Sequence, residues 1–227
     1  MDKHDIFARN IAFWGNDTQE FLAEKSIYIA GVGALGCIVA EILVRAGIGR
    51  LFLVDNGVID PPDLNRQALY GKHDIGRFKS EVAAERLASM TGHTDLIVRR
   101  LTIGECDISQ DIKPCDGVAD CLDNFAAMFA LEDALPETRF MVHGALHGDY
   151  GQLTTIVPGK TVSLRKLYRG IAEKNRPVPV VATGVFCIGS LMAQEILKNL
   201  RGEPELINEF QVVGLSGFVF DRVPLNP

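Results

Sequence analysis

The chain has 227 residues, enough for one sizeable core and short of two full domains. Its 23 Lys and Arg against 29 Asp and Glu give a net charge of −6, which counts against a general nucleic-acid binder. No apolar run reaches bilayer length and the first residues carry no signal-peptide core, so a cytoplasmic protein is expected, with no membrane partner.

The first 25 residues are expected to form an N-terminal helical segment. Residues 26–30 (SIYIA) predict a short buried strand, 31–36 (GVGALG) a turn, and 37–46 an apolar helix ended by Gly47. Residues 50–54 (RLFLV) predict the next strand, closed by Asp55. Together these make one βαβ unit with parallel strands and a right-handed crossover. A helix over 79–90 presents Val82, Ala83, Leu87 and Met90. Strands are expected over 96–101 and 117–121, the latter leading into Asp123. A helix over 124–135, with Pro136 just past it, and a strand over 140–143 continue the alternation. This rhythm predicts an α/β fold with a doubly wound, Rossmann-like sheet.

After Gly151 the rhythm changes. Residues 152–157 read as a strand, 160–180 as a basic, proline-flanked lid or crossover connection, and 180–200 as a long apolar helix. Residues 206–214 and 217–223 predict a late hairpin, so a mostly parallel sheet gains antiparallel strands at its end. The whole chain, 1–227, reads as one domain.

Gly31, Gly33 and Gly36 stand as G-x-G-x-x-G between strand and helix. The first allows a tight turn, the second a close backbone approach to phosphate, and the third close packing of helix on strand. The free N–H groups and positive dipole end of the helix favour an anion. Asp55, about 20 residues on, suits a ribose hydroxyl. This motif does not choose between NAD, FAD and ATP.

A second constellation narrows the choice. Asn65, Arg66 and Gln67 follow Asp63 on a proline-rich loop, Lys79 opens a helix, Asp123 follows a strand, and Arg9 stands upstream. In adenylation a carboxylate attacks the α-phosphorus and pyrophosphate leaves. Arg, Lys and Mg²⁺ stabilise the charge that develops. Arg offers a fixed fork and Lys a mobile point charge, while Mg²⁺ is held by few carboxylates plus phosphate oxygens. Hydride transfer has no comparable need for two Arg, a Lys and a metal-binding Asp.

The segments GVGALG, VDNGVIDPPDLNRQ, GRFKSEVAAERL and ADCLDN resemble the ATP site of the ThiF/MoeB/HesA relatives of ubiquitin-activating enzymes. VHGALHGDYGQLTTIVPG and IGSLMAQEILK extend the resemblance. It implies an ATP-dependent adenylyltransferase acting on the C-terminal glycine of a ubiquitin-like sulfur-carrier protein, usually as a homodimer. Carried over, it gives Gly31, Gly33 and Gly36 to the phosphates and Asp55 to ribose. Arg66 and Lys79 would contact phosphates, and Asn65 and Gln67 would shape the site. Asp123 would carry Mg²⁺, and Arg9 would reach across the dimer.

The chain also departs from the family. The five cysteines (Cys37, Cys106, Cys115, Cys121, Cys187) include no Cys-x-x-Cys pair, so no zinc is expected and a reduced compartment is favoured. Residues 161–182 contain no cysteine to form a thioester. Cys121 and Cys187 read as packing thiols. Asp63 stands where relatives often have Asn, and Met128 where a polar or basic residue is common. This short form also resembles the homologue from the iron-guanylylpyridinol cofactor pathway of methanogens. That resemblance implies the same chemistry on a small-molecule carboxylate, a pyridinol. A non-catalytic nucleotide-binding scaffold and an NAD-dependent dehydrogenase are the other readings.

His143 and His147 are placed to touch an acyl substrate, or to serve as core or surface histidines. Arg165, Lys166, Arg169 and Lys174 make the 160–180 connection basic, as a solvated lid or as a dock for an acidic partner.

Overall fold

The computed structural model describes residues 3–171 and 178–225, with side chains from residue 5 onward. Lys174, with part of the basic connection, lies outside the described residues. Three short helices open the chain: α1 (Lys3–Ile6), α2 (Ala8–Trp14) and α3 (Asn16–Ala23). Then follow β1 (Ser26–Ala30), α4 (Ala34–Ala46), β2 (Arg50–Val54), α5 (Lys79–Ala88), β3 (Asp95–Arg99) and α6 (Ser109–Ile112). Next come β4 (Gly117–Asp120), α7 (Phe125–Asp133), β5 (Phe140–His147), β6 (Tyr150–Ile156) and α8 (Leu164–Leu167). The chain closes with α9 (Ala182–Leu200), β7 (Glu209–Gly214) and β8 (Val219–Pro224).

One eight-stranded sheet runs in the order β3-β2-β1-β4-β5-β6-β7-β8. The first five strands pair in parallel and the last three antiparallel. All five residues of β1 are buried, as a parallel strand covered on both faces requires. Ile27, Ile29, Leu51 and Leu53 join the core under α4, α5 and α9. Tyr28, Ala30, Phe52 and Val54 point the other way, into the core under α6, α7 and α8. The two-residue alternation of the strands thus separates two apolar layers. Strand order reverses direction between β1 and β4, which opens a crevice at their carboxyl ends. Among the described residues, no helix is long and apolar enough to cross a membrane.

Several element ends shift by a few residues from the sequence reading, and two of the differences bear on the layout of the sheet and the site. Helix α4 begins at Ala34, not at 37, because Gly33 serves as its N-cap and Gly36 lies inside its first turn. Strand β5 runs on to His147 and turns back through Gly148 and Asp149 into β6, with His147 opposite Tyr150. Gly148 has φ +67°, the positive value that the first central residue of a tight hairpin turn takes. This hairpin starts the antiparallel half of the sheet two residues earlier than the strand expected from 152.

Candidate functional site

Three strand ends converge on the crevice. β1 runs into the glycine loop, β2 into Asp55, and β4 into the turn that carries Asp123. Gly31 takes φ +85°, and its N–H donates to the Val54 carbonyl at 2.8 Å. A Cβ at Gly31 would lie 2.9 Å from the Cys121 carbonyl oxygen, and one at Gly36 would lie 2.0 Å from the Gly31 carbonyl oxygen. Both positions are closed to any side chain by packing. Gly33 differs: a Cβ there would meet only Gln67 Nε2, at 3.9 Å. The backbone at Gly33 therefore faces open space, as an approach surface for phosphate needs.

Asp55 braces this loop. Its Oδ2 accepts the Val32 N–H at 2.8 Å and its Oδ1 the Gly57 N–H at 2.7 Å. Burial pushes its carboxyl above the ordinary carboxylate range, while these two N–H bonds and Lys79 oppose that shift. Each oxygen keeps a second lone pair, so bracing and ribose binding are compatible. Tyr70, which sequence reasoning missed, ties the loop to α5. Its hydroxyl lies 2.6 Å from the Val32 carbonyl and 3.1 Å from the Lys79 carbonyl.

The proline-rich loop folds around Asp63. Its Oδ1 accepts Gln67 Nε2 at 2.6 Å and its Oδ2 lies 3.0 Å from Lys79 Nζ. Oδ2 also accepts the Asp60 N–H at 3.1 Å, and the Arg66 guanidinium stands 3.7 Å from Oδ1. Asp63 is thus a buried hub for three of the expected site residues. Its spacing to Arg66 and Gln67, three and four residues on, is the sequence signal that points to it. Asn65 Oδ1 and the Pro62 carbonyl accept from Arg66 Nη1 at 3.1 and 2.6 Å.

Among the described residues, two polar atoms here are buried without a protein partner: Gln67 Oε1 and Arg66 Nε. Gln67 is only 4% exposed. Buried polar groups are normally satisfied, so one free acceptor and one free donor on consecutive residues fit a polar ligand such as a nucleotide.

Asp123 is exposed just past β4, and it raises the Asp55 carboxyl electrostatically. The N-cap of α7 is Asn124, whose side chain accepts the Ala127 N–H at 2.8 Å, so capping does not fall on Asp123. Among the described residues, no group of three or more His, Cys, Asp or Glu side chains is arranged to hold a metal ion. A magnesium ion would fit here as one carboxylate plus phosphate oxygens, the donor set that Mg²⁺ ordinarily takes with nucleotides.

Arg9 is not brought to this site by its own chain. It is exposed on α2, beside Asn10, whose side chain bonds the Arg45 carbonyl at 2.8 Å. Arg45 lies in the last turn of α4, and the phosphate loop lies at its first. The 13 residues of α4 separate those ends by roughly 20 Å. Of the two readings of His143, the core one holds: it is fully buried, bonded to Asp120 and Tyr168, and cannot touch a substrate directly. His147 remains exposed at the end of β5.

Burial pushes the Cys37 thiol up to about 12 and Cys121 well above its ordinary value; Cys187 is raised for the same reason. These thiols favour packing over attack. The described half of the basic connection is docked on α7. Leu164 N donates to Glu132 at 2.8 Å, Arg165 pairs with Asp133, and Arg165 lies over the Phe129 ring.

The strand order, glycine loop and cationic hub define a nucleotide-binding α/β domain. Residues 7–226 match the ThiF family, and the chain belongs to it. A sulfur carrier protein adenylyltransferase from Thermus thermophilus is 32% identical over 199 residues, covering 83% of this chain and 73% of that protein. The Bacillus subtilis sulfur carrier protein ThiS adenylyltransferase is 30% identical over 195 residues, 83% of this chain and 58% of that protein. An adenylyltransferase and sulfurtransferase MOCS3 from Drosophila persimilis is 29% identical over 225 residues, and the match spans 48% of its length. Among solved structures, E. coli MccB with ATP has a TM-score of 0.81 at 20% identity, covering 98% of this chain and 72% of that one.

Proposed function

We propose that this chain binds ATP in the crevice and adenylates a carboxylate, releasing pyrophosphate. The observation that carries this reading is the cationic hub of Arg66 and Lys79 on Asp63, set beside the open Gly33 backbone and the unpartnered Gln67 Oε1 and Arg66 Nε. A carboxylate oxygen forms the new bond to the α-phosphorus as the bond to the β-phosphate bridging oxygen breaks. Loop N–H groups and the start of α4 hold the phosphates, Lys79 and Arg66 offset the charge on them, and Asp55 accepts from the ribose. Mg²⁺ held by Asp123 would neutralise the leaving pyrophosphate.

Sequence similarity to the Thermus and Bacillus sulfur-carrier adenylyltransferases supports the C-terminal glycine of a ubiquitin-like sulfur carrier as the substrate. A homodimer, with Arg9 supplied to the partner's site, accounts for an arginine that its own chain holds far from the crevice. A small-molecule carboxylate, such as the pyridinol of the iron-guanylylpyridinol cofactor, is the second reading. It is favoured by the absence of cysteine from 161–182 and of any Cys-x-x-Cys pair, the zinc-free short form.

Calorimetric titration with ATP–Mg²⁺ and, separately, with NAD tests the nucleotide. Binding of ATP and not NAD is expected; the reverse would return the chain to dehydrogenase chemistry. Carboxylate-dependent exchange of pyrophosphate into ATP then separates a carrier protein from a small acid. Tight ATP binding with no exchange for any carboxylate would leave a nucleotide-binding scaffold.

A further inference from the structure

Behind the crevice a buried polar chain crosses an otherwise apolar layer. Asp120 ends β4 and His143 lies opposite it in β5; both are 0% exposed. Asp120 Oδ2 is 2.7 Å from His143 Nδ1, and His143 Nε2 is 2.6 Å from the Tyr168 hydroxyl. Gln152 Nε2 donates to that hydroxyl at 3.3 Å, and Asp120 Oδ1 accepts the Leu122 N–H at 3.2 Å. A carboxylate has no proton to give, so Nδ1 donates to Asp120. With a neutral imidazole, Nε2 accepts from Tyr168. Every donor then points toward Asp120, and such aligned bonds reinforce one another.

Stability alone does not explain this chain. A buried acid and imidazole in an apolar layer are costly, and well-packed apolar residues would serve at least as well. Nor is it needed to dock α8, which is already held to α7 by Leu164, Arg165 and Glu132. Its two ends do differ in kind. One end is Tyr168, on the crossover segment, with its ring 5.0 Å from Phe125. The other end fixes the backbone of Leu122, next to Asp123.

We propose that Tyr168, His143 and Asp120 act as a positioning relay: the seating of Tyr168, just past α8, sets the turn that aims the Asp123 carboxylate at the metal–nucleotide complex. This rests on the ATP–Mg²⁺ reading above. None of the three residues touches substrate. They act through Asp123, as outer partners act through a metal ligand.

Two variants test it. Tyr168→Phe removes only the hydroxyl and keeps the ring on Phe125. His143→Asn keeps a donor for Asp120 but is too short to reach Tyr168. ATP is titrated into each with and without Mg²⁺, and the Leu122 and Asp123 amide resonances are followed by NMR without nucleotide. Both variants should bind ATP alone as the wild type does. The gain in affinity on adding Mg²⁺ should fall about tenfold in each. The Leu122 and Asp123 amides should move in Tyr168→Phe, although that substitution lies on another element. A folded variant with the wild-type magnesium gain and unmoved amides would overturn the relay. A wild type that binds ATP with no magnesium gain would overturn both the metal assignment and the relay. A wild type that binds no ATP would overturn the proposed function itself.

Discussion

Lys79 Nζ lies 3.0 Å from Asp63 Oδ2, a carboxylate that also holds Gln67 and the Asp60 N–H. The lysine expected on phosphate is thus held by an internal anion. Lys79→Ala should abolish ATP–Mg²⁺ binding. It should also cost roughly 1–3 kcal/mol of stability, because it strips a buried carboxylate of its cation. Asp63→Asn removes the competing charge and should tighten ATP several-fold while destabilising the loop. The double variant should recover part of the stability of Lys79→Ala without recovering binding. Strictly additive losses in urea melts would show that the pair is not coupled.

The glycines separate fold from ligand. Gly33→Ala should fold with nearly wild-type stability and lose most nucleotide affinity, since its added methyl meets only Gln67 Nε2 at 3.9 Å and otherwise enters the phosphate approach. Gly36→Ala drives a methyl to within 2.0 Å of the Gly31 carbonyl oxygen and should cost about 3 kcal/mol or more. Thermal melts beside ATP titrations of the two variants check both halves. Full nucleotide affinity in Gly33→Ala would remove that glycine from the phosphate site.

Asp55 sets a pH dependence. Burial raises its carboxyl above the ordinary carboxylate range. A ribose hydroxyl donates best to the ionised form, so ATP affinity should fall as pH drops through that raised value. The stability contribution of this group has the opposite sign. The folded chain binds the proton more tightly than the unfolded one, so Asp55 favours folding more as pH falls through the same window. Titrations and melts between neutral and mildly acidic pH should move apart in wild type. Asp55→Asn should bind ATP weakly at every pH.

Arg9 offers a test across molecules. Arg9→Ala and Lys79→Ala should each be inactive alone, and mixing them should restore up to about a quarter of the wild-type pyrophosphate exchange if one site per mixed dimer is intact. Activity that stays at the level of the separate variants would rule out a role for Arg9 in the partner's site.

Much of this site was legible along the chain. The apolar strand 26–30, the three glycines and the strand ending at Asp55 form a contiguous βαβ unit, whose geometry follows from local rules. Lys79 and Asp123 could be placed because each borders a predicted element. Asp63 was visible as a departure in type and by its spacing to Arg66 and Gln67, but its role depended on a loop closing around it. Tyr168, Asp120 and His143 gave no local signal as a unit, since they come from a crossover segment and two neighbouring strands.

The sequence by itself determined the elements, their order and the phosphate loop, because periodicity and glycine placement act over a few residues. Tertiary structure decided what pairing over long separations controls. It placed Arg9 at the far end of α4, buried His143 beneath Tyr168, and gathered Gln67, Arg66 and Lys79 on one buried carboxylate. A charge buried in the fold must be matched by whatever the chain brings to it, and the chain brings those partners only when folded.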